Sequence, residues 1–424
     1  MTDADLHYEL ARHRLDNGME VVVAPDADAP GVAVNLWVEV GSADERAGKT
    51  GFAHLFEHLM FQGSANVASG EHMATIETLG GTVNATTSSD RTNYFETVPR
   101  GALELTLWLE ADRFSSLAIT AENFETQRQV VKEEKRQRYD NQPYGDLLEL
   151  LVAQHFPADH AYGHLTIGSM EDLDAASLDD VASFFDAWYP ASNLRLVLCG
   201  PLSADEGISL TQRYFGSLPG LQKPGRAPIP ALEPRRGEIQ RVTRPVPHSL
   251  TYLSWGVPSA TDPVQPALHI ALAVLADGNA SRLHRSLVRN SDTANEVHSA
   301  LLPHRSTNSV ATILGRPSDG VGIESLSDQI LDQVGHFLEE GPTEEEVARA
   351  AAQYERDWLW DIATTSGRAD AINEAWLVEG DPARLNTHLA DVLALTPDDV
   401  RAAARAWLDP AAAQQLHYLA ESIR

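Results

Sequence analysis

Phe52-Ala-His-Leu-Phe-Glu-His-Leu-Met-Phe61 is a run of ten residues without glycine or proline, and it follows Gly51. The run predicts a helix. Its apolar residues lie on every side, a pattern typical of a helix that is buried in the protein. Any polar side chain on this helix therefore needs a partner inside the protein, because burying an unpaired polar or charged group costs free energy.

Three polar side chains lie on this helix, at His54, Glu57 and His58. Residues four apart share a helix face, so both imidazoles can face a common atom, and Glu57 projects beside them. Two neutral imidazoles are typical zinc ligands, and a catalytic zinc site adds a third protein ligand and leaves one position for water. His-x-x-Glu-His is also the inverted form of the common zinc-protease motif. We predict a zinc site with Glu57 as its base; the alternative is a pair of histidines satisfied by backbone carbonyls.

The third ligand is predicted on a helix over about 121–138, which begins after Thr120 as its N-cap. One stripe of this helix, at i, i+3, i+4 and i+7, consists of Gln127, Val130, Val131 and Glu134. Glu134 is therefore expected to face inward, whereas Glu133 is turned about 100° away and is expected to face solvent. A carboxylate on a core-facing stripe needs a cation, and the predicted zinc supplies one.

The composition is that of a folded protein with at least two domains. The chain has 424 residues, of which 43% are apolar and 22% charged. Its longest apolar run is far shorter than the roughly 20 residues that a bilayer requires, and its acidic N-terminus is unlike a signal peptide. The single cysteine, Cys199, excludes an internal disulfide framework and suits the reducing cytoplasm. We expect a cytoplasmic protein that does not span a membrane.

The net charge of −29 comes from 32 basic and 61 acidic residues. Such a field repels nucleic acid and anionic lipid, and no glycine-rich phosphate loop of a standard form is present. Nucleic acid and membranes are therefore excluded as partners. The charge is explained either by solubility or by attraction of basic peptides.

Strand signals surround the motif helix. A strand pair is predicted around the Asn17-Gly18 turn, an extended run covers 32–40, and a hairpin covers 80–98. A further helix is predicted over about 101–117. Five prolines lie between Ser217 and Gly237, so we predict a linker there. The expected domains are 1–216, which carries the metal site, and 241–424, separated by the linker 217–240.

The two sides of the linker contain copies of one signature. Asp179-Asp180-Val181 is followed seven residues later by Trp188, and Asp398-Asp399-Val400 is followed at the same spacing by Trp407. The sequence offset between the copies, 400 − 181 = 219, is about half the chain. We therefore predict an α+β fold of two tandem homologous domains, each a sheet covered by helices.

The quoted motif and several further landmarks resemble the pitrilysin family of zinc peptidases, the inverzincins, in the branch of mitochondrial processing peptidase and its small bacterial relatives. The sequence separation between His58 and Glu134, 134 − 58 = 76, is part of this resemblance. Further landmarks are Gly41-Ser-Ala-Asp-Glu, Phe61-Gln-Gly-Ser, Gly80-Gly-Thr-Val-Asn-Ala-Thr-Thr, Val130-Val-Lys-Glu-Glu and Trp188-Tyr-Pro. The resemblance covers essentially the whole chain.

The resemblance implies a function as well as a fold. His54, His58 and Glu134 would ligate one zinc ion per chain, and Glu57 would take a proton from the zinc-bound water, which attacks a peptide carbonyl. Asn84 and Ala85 would lie on an edge strand that receives the substrate as an added strand. Without the resemblance, Asn84 would be taken for an ordinary strand residue near a turn.

The chain departs from the family pattern in three places. Gln127 stands where many members have a second Glu, which weakens any supporting carboxylate there. The offset between the two signature copies maps His54, Glu57 and His58 onto Ala273, Ala276 and Asp277, so the C-terminal domain is expected to lack a metal site. The longer relatives use an Arg and a Tyr seven positions apart, a pair that is absent here. A second half-size homologous subunit, or a second copy of this chain, would supply it.

Two rival interpretations remain. A non-catalytic scaffold or peptide-binding subunit would keep the fold without the chemistry, although the intact set of four residues argues against it. A zinc-stabilised structural domain would need a fourth protein ligand and gives Glu57 no role. Other candidates are weaker: His155, His160 and His164 lack the spacing of one helical face, and Cys199 is expected to be a buried apolar residue.

Overall fold

The computed structural model describes residues 7–222, 225–226, 228–229, 232–233 and 237–421. Three prolines of the predicted linker 217–240, Pro224, Pro230 and Pro234, lie outside the described residues. The linker and the domain limits 1–216 and 241–424 stay predictions.

The described chain forms two compact units, each assembled from three segments. Unit 1 comprises Met1–Lys135, His164–Ala227 and Trp358–His388, and unit 2 comprises Arg136–Gly163, Pro228–Asp357 and Leu389–Arg424. Each unit therefore contains one segment from the other half of the sequence. No described helix is long and apolar enough to cross a membrane.

Unit 1 is built on a six-stranded sheet. Its strands are β1 (Ala11–Arg14), β2 (Glu20–Pro25), β3 (Val32–Val38), β4 (Thr82–Thr87), β5 (Thr92–Val98) and β6 (Leu194–Gly200), in the order β1-β2-β6-β3-β5-β4. Among the described strands of this sheet, only β2 and β6 run parallel. The β-branched residues of β2 and β3 suit the centre of a sheet covered on both faces, and every residue of β3 is buried. The predicted hairpin over 80–98 is confirmed as β4 and β5, and β4 is an edge strand.

Several described helices lie in unit 1 for all or most of their length. They are α1 (Phe52–Leu59), α2 (Glu71–Thr78), α3 (Leu103–Ser116), α4 (Ala121–Lys135), α6 (Met170–Asp174), α7 (Leu178–Trp188), α8 (Ala204–Phe215) and α12 (Thr365–Glu379). The predicted helix over 121–138 ends as an α-helix at Lys135 and continues as a π-helical segment, Arg136–Asp140.

Unit 2 is built on a five-stranded sheet. Its strands are β7 (Ile239–Arg244), β8 (Leu250–Val257), β9 (Ala294–Leu302), β10 (Ser309–Pro317) and β11 (Gln414–Ala420), in the order β7-β11-β8-β10-β9. Its helices are α5 (Leu147–His155), α9 (Gln265–Ala276), α10 (Ile323–Glu340), most of α11 (Glu344–Asp361), most of α13 (His388–Leu393) and α14 (Pro397–Trp407). A second π-helical segment covers His284–Asn290.

The predicted duplication is confirmed by the matching architectures. The offset from α7 to α14 is 397 − 178 = 219, and the offset from β2 to β7 is 239 − 20 = 219. Both helices begin with the same capping box, Ser177 with Asp180 and Thr396 with Asp399. With β1 set aside, the two sheets have the same strand order, including one parallel pair in the same place.

Helix α12 covers the unit 1 sheet although it follows the unit 2 strands β7–β10 in sequence. Ile372 and Trp376 are fully buried and share a core with Val22 and Val197. Burial of a residue such as Ile372 contributes about 1.5–3 kcal/mol. Helix α12 is also tied to the sheet by an ion pair between Arg368 and Asp26, with 2.7 Å between Nη1 and Oδ2.

Candidate metal centre

The N-terminus of α1 is held by a carboxylate from the preceding loop. Glu45 accepts hydrogen bonds from the backbone N–H groups of Gly51 (2.9 Å) and Ala53 (2.7 Å), two donors that the helix itself leaves unpaired. His164 Nε2 lies 2.9 Å from the same carboxylate. Gly51 has a φ of +89°, and a Cβ there would lie 2.9 Å from the carbonyl oxygen of Ile167. The motif helix is therefore fixed at its start, and Gly51 fits where a side chain would not.

Helix α1 is buried on all but one side. Its fully buried residues are Phe52, Ala53, Leu55, Phe56 and Leu59. The expected burial is confirmed for these five residues, whereas His54, Glu57 and His58 are half-buried on the remaining side. The helix therefore presents its three polar groups together, with apolar packing behind them.

His54, His58 and Glu134 converge on one point. Oε2 of Glu134 lies 3.7 Å from Nε2 of His54 and 3.4 Å from Nε2 of His58. Two ligand atoms at about 2.1 Å from a tetrahedral zinc ion lie about 3.4 Å apart. Two imidazole nitrogens and one carboxylate oxygen also form a donor set that zinc accepts, so the three residues fit the ion.

Glu134 reaches this point from α4, which packs against α1. Val131, one turn before it, is fully buried, and Glu133 is exposed, as predicted. The prediction for Val130 was wrong: this residue is 43% exposed and does not belong to the inward stripe. The inward face is narrower than the four predicted positions, because the buried residues of α4 are Phe124 and Val131, which lie seven residues apart and almost in line along the helix.

Glu57 lies beside the ligands and accepts a hydrogen bond of 2.5 Å from the Thr87 hydroxyl at the end of β4. Burial raises the pKa of Glu57, and the neighbouring Glu134 raises it further, against the lowering effects of Thr87, His58 and Arg91. A carboxylate with a raised pKa is a better proton acceptor near neutral pH than an ordinary one. The arrangement can therefore combine a metal site with a base.

Burial lowers the pKa of His58, but Glu134 and Glu57 raise it, and the net direction without a metal is upward. A hydrogen bond with Gln127 contributes to the rise. Gln127 thus lies next to a predicted ligand, in the position where the family pattern often has Glu.

The predicted substrate residues lie on the free edge of the sheet. Strand β4 pairs only with β5 among the described strands. Asn84 is exposed, and Ala85 is buried opposite the buried Tyr94 of β5. Their contact with substrate stays a prediction.

The corresponding part of unit 2 has no comparable ligand set among the described residues. Ala273 and Ala276 lie in α9, and Asp277, directly after it, accepts hydrogen bonds from the backbone and side chain of Ser299. Alanines offer no ligand atom, and Asp277 has a structural role.

A second group of His and Glu residues, distinct from the first, lies inside unit 1. His72, Glu96 and Glu110 are buried together, with His72 Nε2 at 3.3 Å from Glu96 and 3.4 Å from Glu110. The buried guanidinium of Arg113 pairs with Glu110 and lies 3.9 Å from Glu96. Arg113 therefore supplies the cation that these carboxylates need, and the group is an internal charge network.

The weaker candidates, three histidines and Cys199, make other contacts. His155 contacts Ser254 in unit 2 and His164 contacts Glu45 in unit 1, so the three histidines at 155, 160 and 164 do not form a metal site. Cys199 is buried in β6, and burial raises the pKa of its thiol to about 11. It is not an activated nucleophile.

Sequence reasoning missed two residues next to the motif, Thr87 and Glu45. Both lie outside α1, and their contacts with it depend on the folded chain. The resemblance had already marked their surroundings, because Glu45 ends Gly41-Ser-Ala-Asp-Glu and Thr87 ends Gly80-Gly-Thr-Val-Asn-Ala-Thr-Thr.

Comparisons with known proteins agree with this architecture. Residues 20–167 match the family described as insulinase, peptidase family M16, and residues 175–354 match the peptidase M16 inactive domain. The chain is 28% identical over 392 residues to the zinc protease PqqE of Helicobacter pylori, covering 91% of this chain and 87% of that protein. It is 25% identical over 421 residues to the beta subunit of mitochondrial-processing peptidase of Blastocladiella emersonii, covering 93% and 85%. A crystal structure of a protease from Helicobacter pylori matches with a TM-score of 0.89 at 26% identity, over 97% of this chain and 99% of that one.

Proposed function

The chain belongs to peptidase family M16, and we propose that it is a zinc-dependent endopeptidase that hydrolyses short or unfolded peptides. The observation that carries the proposal is the convergence of His54, His58 and Glu134 within ligand distance of one point, with Glu57 beside them. Relatives named zinc proteases support the assignment.

His54, His58 and Glu134 would hold one zinc ion per chain. A bound zinc ion would supply a Lewis acid that polarises a peptide carbonyl and lowers the pKa of water. Glu57 accepts the proton of the attacking water and can return it to the leaving amine, the two roles of a general base and acid. Burial raises the pKa of Glu57 in the metal-free site, which favours uptake of the proton.

The substrate would bind along the free edge of β4. An extended peptide can add to an edge strand through its main chain, which explains why such a site accepts unfolded segments. Exposed Asn84 and the adjacent Ala85 would lie along that peptide.

The active form would include a second subunit. None of the ten tyrosines in the sequence has an Arg seven residues before it, so this chain lacks the Arg and Tyr pair of the longer relatives. The related mitochondrial-processing peptidase chain is itself named as a subunit, which supports a hetero-oligomer with a homologous half-size chain; a homodimer is the alternative. The single cysteine supports a cytoplasmic location.

The test is cleavage of a quenched peptide library by this chain, alone and with the product of its genomic neighbour, with and without chelator. Glu57→Gln is expected to lower kcat about 10²–10⁴-fold while zinc content is unchanged. Glu77→Gln makes the same change from carboxylate to amide at an exposed position of α2 and is the matched control. Unchanged cleavage by Glu57→Gln would refute the catalytic assignment. Bound zinc without turnover, with or without the neighbour, would favour a non-catalytic peptide-binding subunit.

A further inference from the structure

We infer that Thr87 is a positioning residue for Glu57: its hydroxyl fixes one oxygen of the carboxylate and leaves the other available for proton transfer. The inference rests on the proposed function, because it assigns Thr87 a part in that reaction. Its basis is the contact between the end of an edge strand and the base on the motif helix.

The contact is specific to two atoms. The Thr87 hydroxyl donates to Oε2 of Glu57 at 2.5 Å, and it is the only hydrogen bond that the Glu57 carboxylate makes within the described residues. Oε1 accepts no hydrogen bond within these residues, so its lone pairs are available to take up a proton. A donor to an ionised carboxylate forms a stronger hydrogen bond than one to a neutral group, so the orientation of the carboxylate is well determined.

Threonine suits this task better than a flexible donor. Its β-branched side chain has restricted χ1 freedom, so its hydroxyl is held by the backbone that carries it. Glu57, in contrast, has three side-chain dihedral angles and is only half-buried. The hydrogen bond therefore transfers the rigidity of β4 to the base.

The strand end is itself fixed by the turn that follows it. The backbone N–H of Ser88 donates to the Arg91 carbonyl at 2.8 Å. The guanidinium of Arg91 donates through Nη1 to the Thr86 carbonyl at 3.0 Å. The Arg91 guanidinium lies 4.9 Å from the centre of the Trp37 ring. Thr87 thus lies between two residues whose positions are determined by several contacts.

Helix α12 supports the same turn from the opposite end of the sequence. Asn93 accepts hydrogen bonds from the backbone and the hydroxyl of Thr86, and it donates to Asp370 at 3.2 Å. Asp370 also accepts from Asn35 on β3. The path from α12 to Glu57 therefore runs through Asp370, Asn93 and the strand that ends at Thr87.

Arg91 alone does not explain the orientation of Glu57. Its charge favours the ionised carboxylate, but the described structure contains no hydrogen bond between Arg91 and Glu57. A charge without a hydrogen bond determines protonation more than orientation. Thr87 is the group that touches the carboxylate.

The test compares Thr87→Val, which keeps the shape and removes the donor, with Thr87→Ser, which keeps the donor. Thr97→Val on β5 is the matched control, because it makes the same change in the neighbouring strand. Thr87→Val is expected to lower kcat by about 10–100-fold, with KM changed less than about twofold. Thr87→Ser is expected to remain within about threefold of the parent chain.

Zinc content and a crystal structure of each zinc-loaded variant provide readouts other than activity. In Thr87→Val, zinc content should be unchanged and the Glu57 carboxylate should turn or adopt several orientations, whereas Thr87→Ser should retain the original one. An unchanged Glu57 in Thr87→Val, an equal loss in Thr97→Val, or a loss of activity that only follows a loss of zinc would overturn the inference. If the parent chain and Glu57→Gln prove equally inactive also with the second subunit added, the proposed function fails, and the orientation of Glu57 in the two crystal structures still decides the role of Thr87.

Discussion

The carboxylate of Glu45 accepts a 2.7 Å hydrogen bond from the backbone N–H of Ala53, in the first turn of the helix that carries both histidines. The cap comes from a residue outside the helix, and the Glu45 side chain is buried. We expect Glu45→Ala to leave two helix N–H groups and His164 without this partner, at a cost of about 1–3 kcal/mol in the free energy of unfolding.

Amide hydrogen exchange at Gly51 and Ala53 measures this effect locally. Glu71→Ala is the control, since Glu71, in the first turn of α2, accepts a hydrogen bond from the backbone N–H of Ala68 in the preceding loop but is exposed. Equal effects of the two substitutions would show that burial does not strengthen the Glu45 cap.

Glu134→Gln should weaken zinc binding by at least about 100-fold, because the change removes a charged ligand while preserving the shape of the side chain. Glu133→Gln makes the same substitution one residue earlier, on the exposed side of α4, and should bind zinc as the parent chain does. Competition with a chromogenic chelator measures both affinities. A similar loss in the two variants would indicate a general effect of charge instead of ligation.

Zinc affinity should fall with falling pH, and earlier than for an ordinary histidine pair. Zinc binds the neutral imidazole, and the metal-free pKa of His58 is raised, so protonation begins to compete at a higher pH than usual. Below that pKa the affinity should drop about tenfold per pH unit.

Chelator competition between pH 5 and 8 would locate the onset. Because Glu57 raises the His58 pKa, Glu57→Gln should shift the onset to lower pH. An onset that does not move would mean that another group controls the competition.

The network of Glu96, Glu110 and Arg113 should make the free energy of unfolding fall as pH rises. Burial raises the pKa of Glu110 to about 8; the charge of Arg113 opposes this rise, and the charge of Glu96 adds to it. Burial also raises the pKa of Glu96. At Glu110 the folded chain therefore binds more protons than the unfolded chain between about pH 4.5 and 8. Burial lowers the pKa of the neighbouring His72 from 6.5 to about 4, which offsets this effect below about pH 6.5. The fall in stability is therefore expected between about pH 6.5 and 8, with a slope of up to about 1.4 kcal/mol per pH unit.

Glu96→Gln removes the like charge beside Glu110, so this slope should become smaller. Glu104→Gln, on the exposed side of the same α3 helix as Glu110, should leave the slope unchanged. Urea unfolding at several pH values gives the slope of the free energy of unfolding for both variants. A parent chain whose stability is flat across the window would contradict the prediction.

Local sequence predicted the features that depend on local periodicity. The spacing of His54, Glu57 and His58 placed three groups on one helix side, and the inward stripe identified Glu134 although it lies on a different helix. The offset between the two signature copies predicted two matching units, and the strand orders agree with it. Val130 was wrong because a stripe defined by spacing alone does not tell how wide the contact with the neighbouring helices is.

Contacts between distant segments were beyond such reasoning. Glu45 caps α1 from outside it, and Thr87 reaches Glu57 across 30 residues and a change from helix to strand. Arg368 and Asp26 are 342 residues apart. No periodicity encodes these pairs, since each depends on how complete elements pack.

The position of α12 has a practical meaning for anyone who divides the polypeptide. A cut within residues 217–240 would separate β2 and β6 from the helix whose Ile372 and Trp376 seal them, and it would part α5 from the unit 2 sheet. Each fragment would expose an apolar surface that only the other fragment can cover. Two such pieces, mixed in solution, should therefore recover their structure together and precipitate when kept apart.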